Sequence, residues 1–210
     1  MIFGIYLAAG QSKRMGCPKL SLPLDNKPLG SIALETAIES ALEKVLVVTR
    51  ESDSLNWLPP HFFQELSQKK WVHIRCKESW KGQAESLKCG LTAAQKMHAK
   101  AVMILLADQP FVTQEIIDQI VTQYKTEKPY YIASCYNGML RPPVIFNYSL
   151  FPKLFQLHGD EGARQIIRNS NRGLTVEFKE ERNFLDVDTS KEYKSLKKLV
   201  LTDPTFTQFM

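Results

Sequence analysis

Long apolar runs are missing from this 210-residue chain: nowhere do about 18 apolar residues follow one another, so no segment reads as a membrane span. The apolar stretch Ile2–Tyr6 has no basic region before it and no cleavage site after it, which predicts a protein without a targeting signal. Histidine is scarce, at 4 residues, and His61, His73 and His98 have no partners at metal spacing; neither a zinc motif nor a Ser-His-Asp order can be read. The 4 cysteines, Cys17, Cys76, Cys89 and Cys135, make no C-x-x-C pair, and are expected as reduced thiols in a cytoplasmic protein. An excess of one charge is also lacking. With 27 basic and 22 acidic residues the net charge is +5, and the lysines are scattered without interleaved aromatics. That pattern argues against a nucleic-acid partner and suits a small anionic ligand. Two common phosphate loops are absent as well, the Gly-Lys-Ser/Thr of ATPases and the Gly-x-Gly-x-x-Gly of dinucleotide folds.

What is present is a chain with 44% hydrophobic and 23% charged residues, long enough for one sizeable core. Strand-like and helix-like segments alternate along it. Ile2–Leu7, Val45–Thr49, Trp71–Cys76 and the continuous apolar run Ala101–Leu106 read as buried strands. Between them lie helical patterns over Ser31–Leu42 with Ser31 as N-cap, a short one over His61–Gln68, then Gly82–Met97 and Thr113–Tyr124. Repeated βα units call for right-handed crossovers and a mostly parallel sheet covered on both faces, a Rossmann-like three-layer α/β sandwich. Beyond Pro129 the pattern changes to a hairpin, Tyr130–Tyr136 and Pro143–Phe146 around an Asn137-Gly138 turn, followed by a helix over Asp160–Asn169, a strand over Leu174–Phe178 and a final helix.

Chemistry concentrates at strand ends. Directly after the first strand stands LAAGQSKRMGCPKL, Leu7 to Leu20, with glycines at Gly10 and Gly16 and cations at Lys13, Arg14 and Lys19. Such a loop can wrap backbone N–H groups and positive charge around a polyphosphate. The same cations would favour the thiolate of Cys17. Where Ala101–Leu106 runs out stands Ala107-Asp108-Gln109-Pro110, and in an open parallel sheet ligands bind outside the carboxyl ends of strands. Leu185-Asp186-Val187-Asp188-Thr189 carries two acidic side chains that point the same way on an extended segment and so can approach one cation. Gly82-Gln83-Ala84-Glu85-Ser86-Leu87 opens a helix whose N–H groups suit an anion.

In this order the motifs resemble those of the MocA-like nucleotidyltransferases, the molybdenum cofactor cytidylyltransferases: A-A-G-x-S-x-R-M-G-x-P-K, G-Q-x-x-S-L, D-Q-P, G-D-x-G-A-R in His158–Arg164 and D-x-D-T near the end, with Arg141-Pro142-Pro143-Val144 similar to an R-x-P-P-V element. Ala107 replaces a common glycine, Ser190 a proline and Glu192 an aspartate, and the carboxylates are intact. The resemblance implies a single nucleotidyltransferase domain over 1–201, with a nucleotide half at 1–128, an acceptor half at 129–201 and a loosely held tail at 202–210. It implies transfer of CMP from CTP to molybdenum-loaded molybdopterin, with Mg²⁺ and without a catalytic thiol, to supply a molybdenum hydroxylase such as xanthine dehydrogenase through a transient complex. Arg14, Lys19 and Asp108 would be catalytic. Leu7, Ala8, Ala9, Gly10, Ser12, Arg14, Lys19, Gly82, Gln83 and Ser86 would bind nucleotide, with Ala9 and Gln83 favouring cytidine over guanosine. Arg141, Pro143, Gly159, Asp160, Gly162 and Arg164 would face the acceptor, and Asp108 with Asp188 or Asp186 would hold the metal, Asp188 first. Two other readings stay open: another nucleotide or a sugar phosphate on the same fold, and a non-catalytic protein that delivers the finished cofactor.

Overall fold

The computed structural model describes residues 1–168 and 172–202. In chain order the strands and helices are β1 (Ile2–Leu7), β2 (Pro23–Leu24), β3 (Lys27–Pro28), α1 (Leu29–Glu39), β4 (Lys44–Arg50), α2 (Glu65–Gln68), β5 (Trp71–Cys76), α3 (Gln83–Lys96), β6 (Ala101–Leu106), α4 (Gln114–Glu127), β7 (Tyr131–Tyr136), β8 (Met139–Asn147), α5 (Phe151–Leu154), α6 (Arg164–Arg168), β9 (Gly173–Glu177) and α7 (Ser190–Thr202). Seven strands make one sheet in the order β5-β4-β1-β6-β8-β7-β9, and β2 with β3 forms a small separate ribbon. Every neighbouring pair is parallel except β6 with β8 and β8 with β7, so β8 alone runs against the others. This is the expected three-layer α/β sandwich, and the C-terminal hairpin extends the same sheet.

Period-two alternation explains the layering. Ile2 and Tyr6 of β1, Val45 and Val47 of β4, and Ala101, Met103 and Leu105 of β6 face α1 and α4, where Leu34, Ala37, Ile116 and Ile120 meet them. Their neighbours Phe3, Ile5, Leu46, Val48, Val102 and Ile104 face α3 and α5, against Ala84, Leu87, Leu91 and Leu154. Burial on both sides is why these strands read as continuous apolar runs. Helix α3 comes so close to β1 that a Cβ on Gly90 would stand 2.6 Å from Ile5 Cγ2. A third, smaller cluster lies at the carboxyl end of the sheet and joins Met15, Leu29, Ile32 and Phe111 to Val187, Leu196 and Val200.

Several boundaries differ from the expectations. Helix α1 starts at Leu29 with Pro28 at the cap position, so Ser31 is its third residue and its hydroxyl donates to the Pro28 carbonyl at 2.8 Å. Pro59 and Pro60 split the expected helix over His61–Gln68 into a tight 3₁₀ turn, Pro60–Phe63, and the single turn α2. Strand β8 begins at Met139, four residues before Pro143, and accommodates both prolines through a register shift opposite Ala133 and Ser134. The helix expected from Asp160 begins at Arg164, and its expected end, Asn169, lies outside the described residues. So does the tail from 203 to 210; Thr202 closes α7.

The cysteines require a correction. Cys76 at the end of β5 and Cys89 on α3 are disulfide-bonded, with Cα atoms 5.9 Å apart, because α3 packs back along the strand that precedes it. Cys17 and Cys135 are free, the first exposed and the second buried. Among the described residues no helix is long and apolar enough to cross a membrane.

Candidate active site

The carboxyl ends of β1 and β6 open into a cleft of about 580 Å³. On one side runs the loop after β1, bent by positive backbone angles at Ser12 (φ 50°) and Gly16 (φ 73°) and tied by the N–H groups of Met15 and Gly16 donating to the Ser12 carbonyl. The Ser12 hydroxyl accepts from the Lys19 backbone N–H at 3.3 Å. Lys19 is only 8% exposed, and its ammonium lies between two carboxylates, 2.6 Å from Asp108 Oδ2 and 3.0 Å from Asp188 Oδ1. Arg14 Nη2 donates to the other oxygen of Asp188 at 2.7 Å from a much more exposed position. Three separate chain segments thus meet at one charged corner.

The C-terminal segment is held there by backbone as well as by charge. Val187 N–H donates to the Asp108 carbonyl at 3.0 Å, and Val187 packs fully buried in the small cluster. Glu192 accepts from the N–H groups of Asp188 and Thr189, while the Thr189 hydroxyl accepts from the Glu192 N–H at 3.2 Å. This reciprocal capping starts α7 and fixes the Asp188 backbone. Asp186 and Asp188 are treated differently by their surroundings. Burial opposes the charge on Asp188, but the bonds from Lys19 and the nearby Arg14 outweigh it and hold its pKa below the usual carboxylate value. Burial, with Asp108 close by, pushes the Asp186 pKa up, despite a 2.7 Å bond from Gln109 Nε2 and the field of Arg141. Lys19 has a raised pKa: burial works against its charge, and Asp108 and Asp188 more than offset that.

The opposite wall is the start of α3. Gly82, at φ 129°, has a backbone that few side-chain-bearing residues adopt, and a Cβ there would stand 2.8 Å from the Gly159 Cα and nearer still to its carbonyl. The turn 159–162 therefore lies directly on α3. Asp160 Oδ1 accepts from the Gln83 N–H at 3.4 Å and the Gly159 carbonyl from the Ala84 N–H at 3.0 Å. These bonds correct the expectation that this helix start offers its N–H groups to an anion: two of them already have partners within the chain.

Of the residues singled out in the sequence, Leu7, Ala9, Gly10, Ser12, Arg14, Lys19, Gly82, Gln83, Ser86, Asp108, Asp160, Asp186 and Asp188 line the cleft. Ala8 is buried just behind it, and Gly159 touches the wall through Gly82. Arg141 reaches the corner through its field at Asp186. Pro143 is a buried sheet residue whose carbonyl accepts from Ser134, while Gly162 and the exposed Arg164 stand outside the lining. Gln109, which orients Asp186, and Gln11, Ser79, Trp80 and Lys81 were not singled out as site residues. The aromatic-basic pair Trp80-Lys81, directly before Gly82-Gln83, was the available signal.

A divalent cation suits this corner. The oxygens of Asp108 and Asp188 already converge on one positive atom, the Lys19 ammonium. Among the described residues no group of three or more histidine, cysteine or acidic side chains forms a metal cage. Mg²⁺ in particular needs no cage, since it is commonly held by one or two carboxylates together with substrate phosphates.

Comparison with known proteins shows the family. Residues 4–174 match the model of the MobA-like NTP transferase domain. The purine catabolism protein PucB of Bacillus subtilis is 36% identical over 200 residues, 94% of this chain and 96% of the relative. A molybdenum cofactor guanylyltransferase of Rhodobacter capsulatus is 31% identical over 84% of each chain. Among solved structures, Rv0371c from Mycobacterium tuberculosis superposes with a TM-score of 0.77 at 22% identity, covering 94% of this chain and 97% of its own. Its complex with manganese gives 0.68 at 21% identity, over 94% and 98%. This chain belongs to the MobA-like NTP transferase family and is a nucleotidyltransferase.

Proposed function

We propose that the chain transfers CMP from CTP to molybdenum-loaded molybdopterin with Mg²⁺, releasing pyrophosphate, and passes the product to a molybdenum hydroxylase such as xanthine dehydrogenase in a transient complex. The observation that carries the reading is the corner where Lys19 and Arg14 face Asp108 and Asp188 at the carboxyl ends of β1 and β6. A triphosphate entering there competes with the two carboxylates for the two cations. Lys19 and Arg14 then neutralise charge on the phosphates, and the released Asp108 and Asp188 would hold Mg²⁺, which would supply further neutralising charge. An anionic acceptor phosphate oxygen attacks the α-phosphorus in line, the bond to the bridging oxygen breaks, and pyrophosphate leaves with the electron pair. The attacking oxygen carries no proton, so no general base is needed; positioning and charge stabilisation suffice.

The choice of cytidine rests on Ala9 and Gln83 in the motifs. The acceptor draws support from a guanylyltransferase relative that acts on the molybdenum cofactor and from a relative named for purine catabolism, which suits a hydroxylase acting on purines. Nucleotide-dependent thermal protection tests the base directly, because a ligand at a hundred times its Kd raises stability by about 2.7 kcal/mol. CTP with Mg²⁺ is expected to raise the melting temperature more than GTP does at equal concentration. Equal or greater protection by GTP overturns the cytidylyl assignment in favour of a guanylyltransferase.

A further inference from the structure

The cleft is lined mostly by polar and charged groups, yet an indole is set into its wall. Trp80 is the single aromatic side chain among the described residues that line the cleft. It is 66% exposed, whereas Trp57 and Trp71 are 4% and 7% exposed in the core. Burying a ring of this size is a large gain, so an indole left in water at the mouth of a ligand cleft is available for a ligand. Its backbone is not loose. Trp80 is the middle residue of the 3₁₀ turn Ser79–Lys81, closed by Lys81 N–H to the Glu78 carbonyl at 2.9 Å and Gly82 N–H to the Ser79 carbonyl at 3.3 Å. Across the cleft, Gln11 of the loop after β1 donates to the Trp80 carbonyl at 3.4 Å. Lys81, paired with Glu78, keeps its ammonium 5.3 Å from the indole centroid.

From this placement we infer that Trp80 is the platform on which the planar base of the nucleotide stacks. The base is the better occupant than the acceptor's ring. Trp80 is tied by Gln11 to the loop that carries Arg14 and Lys19, and it stands two residues before Gly82, within the cleft that holds the charged corner. Phosphates at Lys19 and a ring at Trp80 lie in one continuous space, and the indole supplies the flat aromatic face that the other apolar lining residues, Leu7, Ala9 and Leu106, cannot offer. Stacking tolerates any base, so Trp80 contributes affinity and Gln83 with Ser86 is left to discriminate. The identity of the base rests on the proposed function; the platform itself does not.

The test titrates CTP, GTP, inorganic triphosphate and molybdopterin, each with Mg²⁺, into the wild-type chain, Trp80→Ala and Trp80→Phe, by calorimetry and tryptophan emission. Because Trp57 and Trp71 are buried, the solvent-exposed emission belongs to Trp80. CTP is expected to quench it and triphosphate to leave it unchanged. Trp80→Ala is expected to bind CTP roughly 5- to 150-fold more weakly, the span of base–aromatic stacking, with triphosphate affinity unaltered and with most CTP affinity restored in Trp80→Phe. Quenching by GTP and not CTP supports the platform while removing the cytidine reading. The inference is overturned if neither nucleotide quenches the emission, if Trp80→Ala binds the quenching nucleotide as the wild type does, if it loses triphosphate affinity equally, or if molybdopterin alone quenches the emission.

Discussion

Lys19 neutralises two carboxylates that would otherwise repel each other, whereas Asp186 at their edge has a hydrogen bond from neutral Gln109 and only the weaker field of Arg141. The consequence is a difference in sign between neighbouring acids. Asp188, with its pKa lowered, adds stability above the unfolded carboxylate value near 3.8 and loses it as the pH falls further. Asp186, with its pKa raised, favours the fold most when protonated and opposes it increasingly as the pH rises through its folded pKa. Asp186→Asn keeps an oxygen to accept from Gln109 and removes the charge. It is therefore expected to raise the melting temperature at pH 7, with a gain that shrinks as the pH falls through the raised folded pKa of Asp186 toward the ordinary carboxylate value near 3.8; calorimetric unfolding across that range measures it. A constant gain at all pH values would mean that charge at Asp186 is not what the fold resists.

Gly82 shows what an element boundary contributes to the cleft. Its backbone lies in a region open almost only to glycine, and the turn at Gly159 leaves no room for a Cβ. Gly82→Ala is expected to cost about 1–3 kcal/mol or more in denaturant unfolding, and to lift the Gly159–Asp160 turn off α3. The elements themselves were legible where one physical rule governed them. Ile2–Leu7 and Ala101–Leu106 are fully covered strands and were found to the residue, and the Asn137-Gly138 turn has the positive φ values that its sequence announces. The start of α6 was not legible, because Gly159 and Asp160 spend their polar groups on a helix 77 positions earlier in the chain. The same holds for Asp186 and Asp188. Alternation placed both beside one cation, but Gln109 takes the first and Lys19 with Arg14 the second, and no local spacing encodes that division.

On the scale of the molecule, the sheet is a frame and the small cluster at its carboxyl edge is a fastening. Met15 in the loop after β1 packs with Phe111 after β6 and with Val187, Leu196 and Val200 near the C-terminal end. The Tyr193 hydroxyl donates to the Pro23 carbonyl, and the Ser190 hydroxyl to that of Met15 at 3.4 Å. Leu196 is 4% exposed and does not line the cleft. Leu196→Ala is expected to cost about 2–5 kcal/mol of stability and also to weaken nucleotide affinity, read by calorimetry, because it loosens the segment that carries Asp188. Unchanged affinity in a destabilised variant would separate the fastening from the site.

The Arg14–Asp188 pair closes a span of 174 residues, so its two halves are made far apart in time. A ribosome releases the loop after β1 long before the aspartate that restrains it. Until that aspartate arrives, Lys19 has Asp108 but not Asp188 as a partner and Arg14 lacks its carboxylate, while the strands of the sheet can already pair. The charged corner is therefore completed only once Asp188 has been made, and a chain interrupted before Asp186 would possess most of the architecture with the loop after β1 unrestrained.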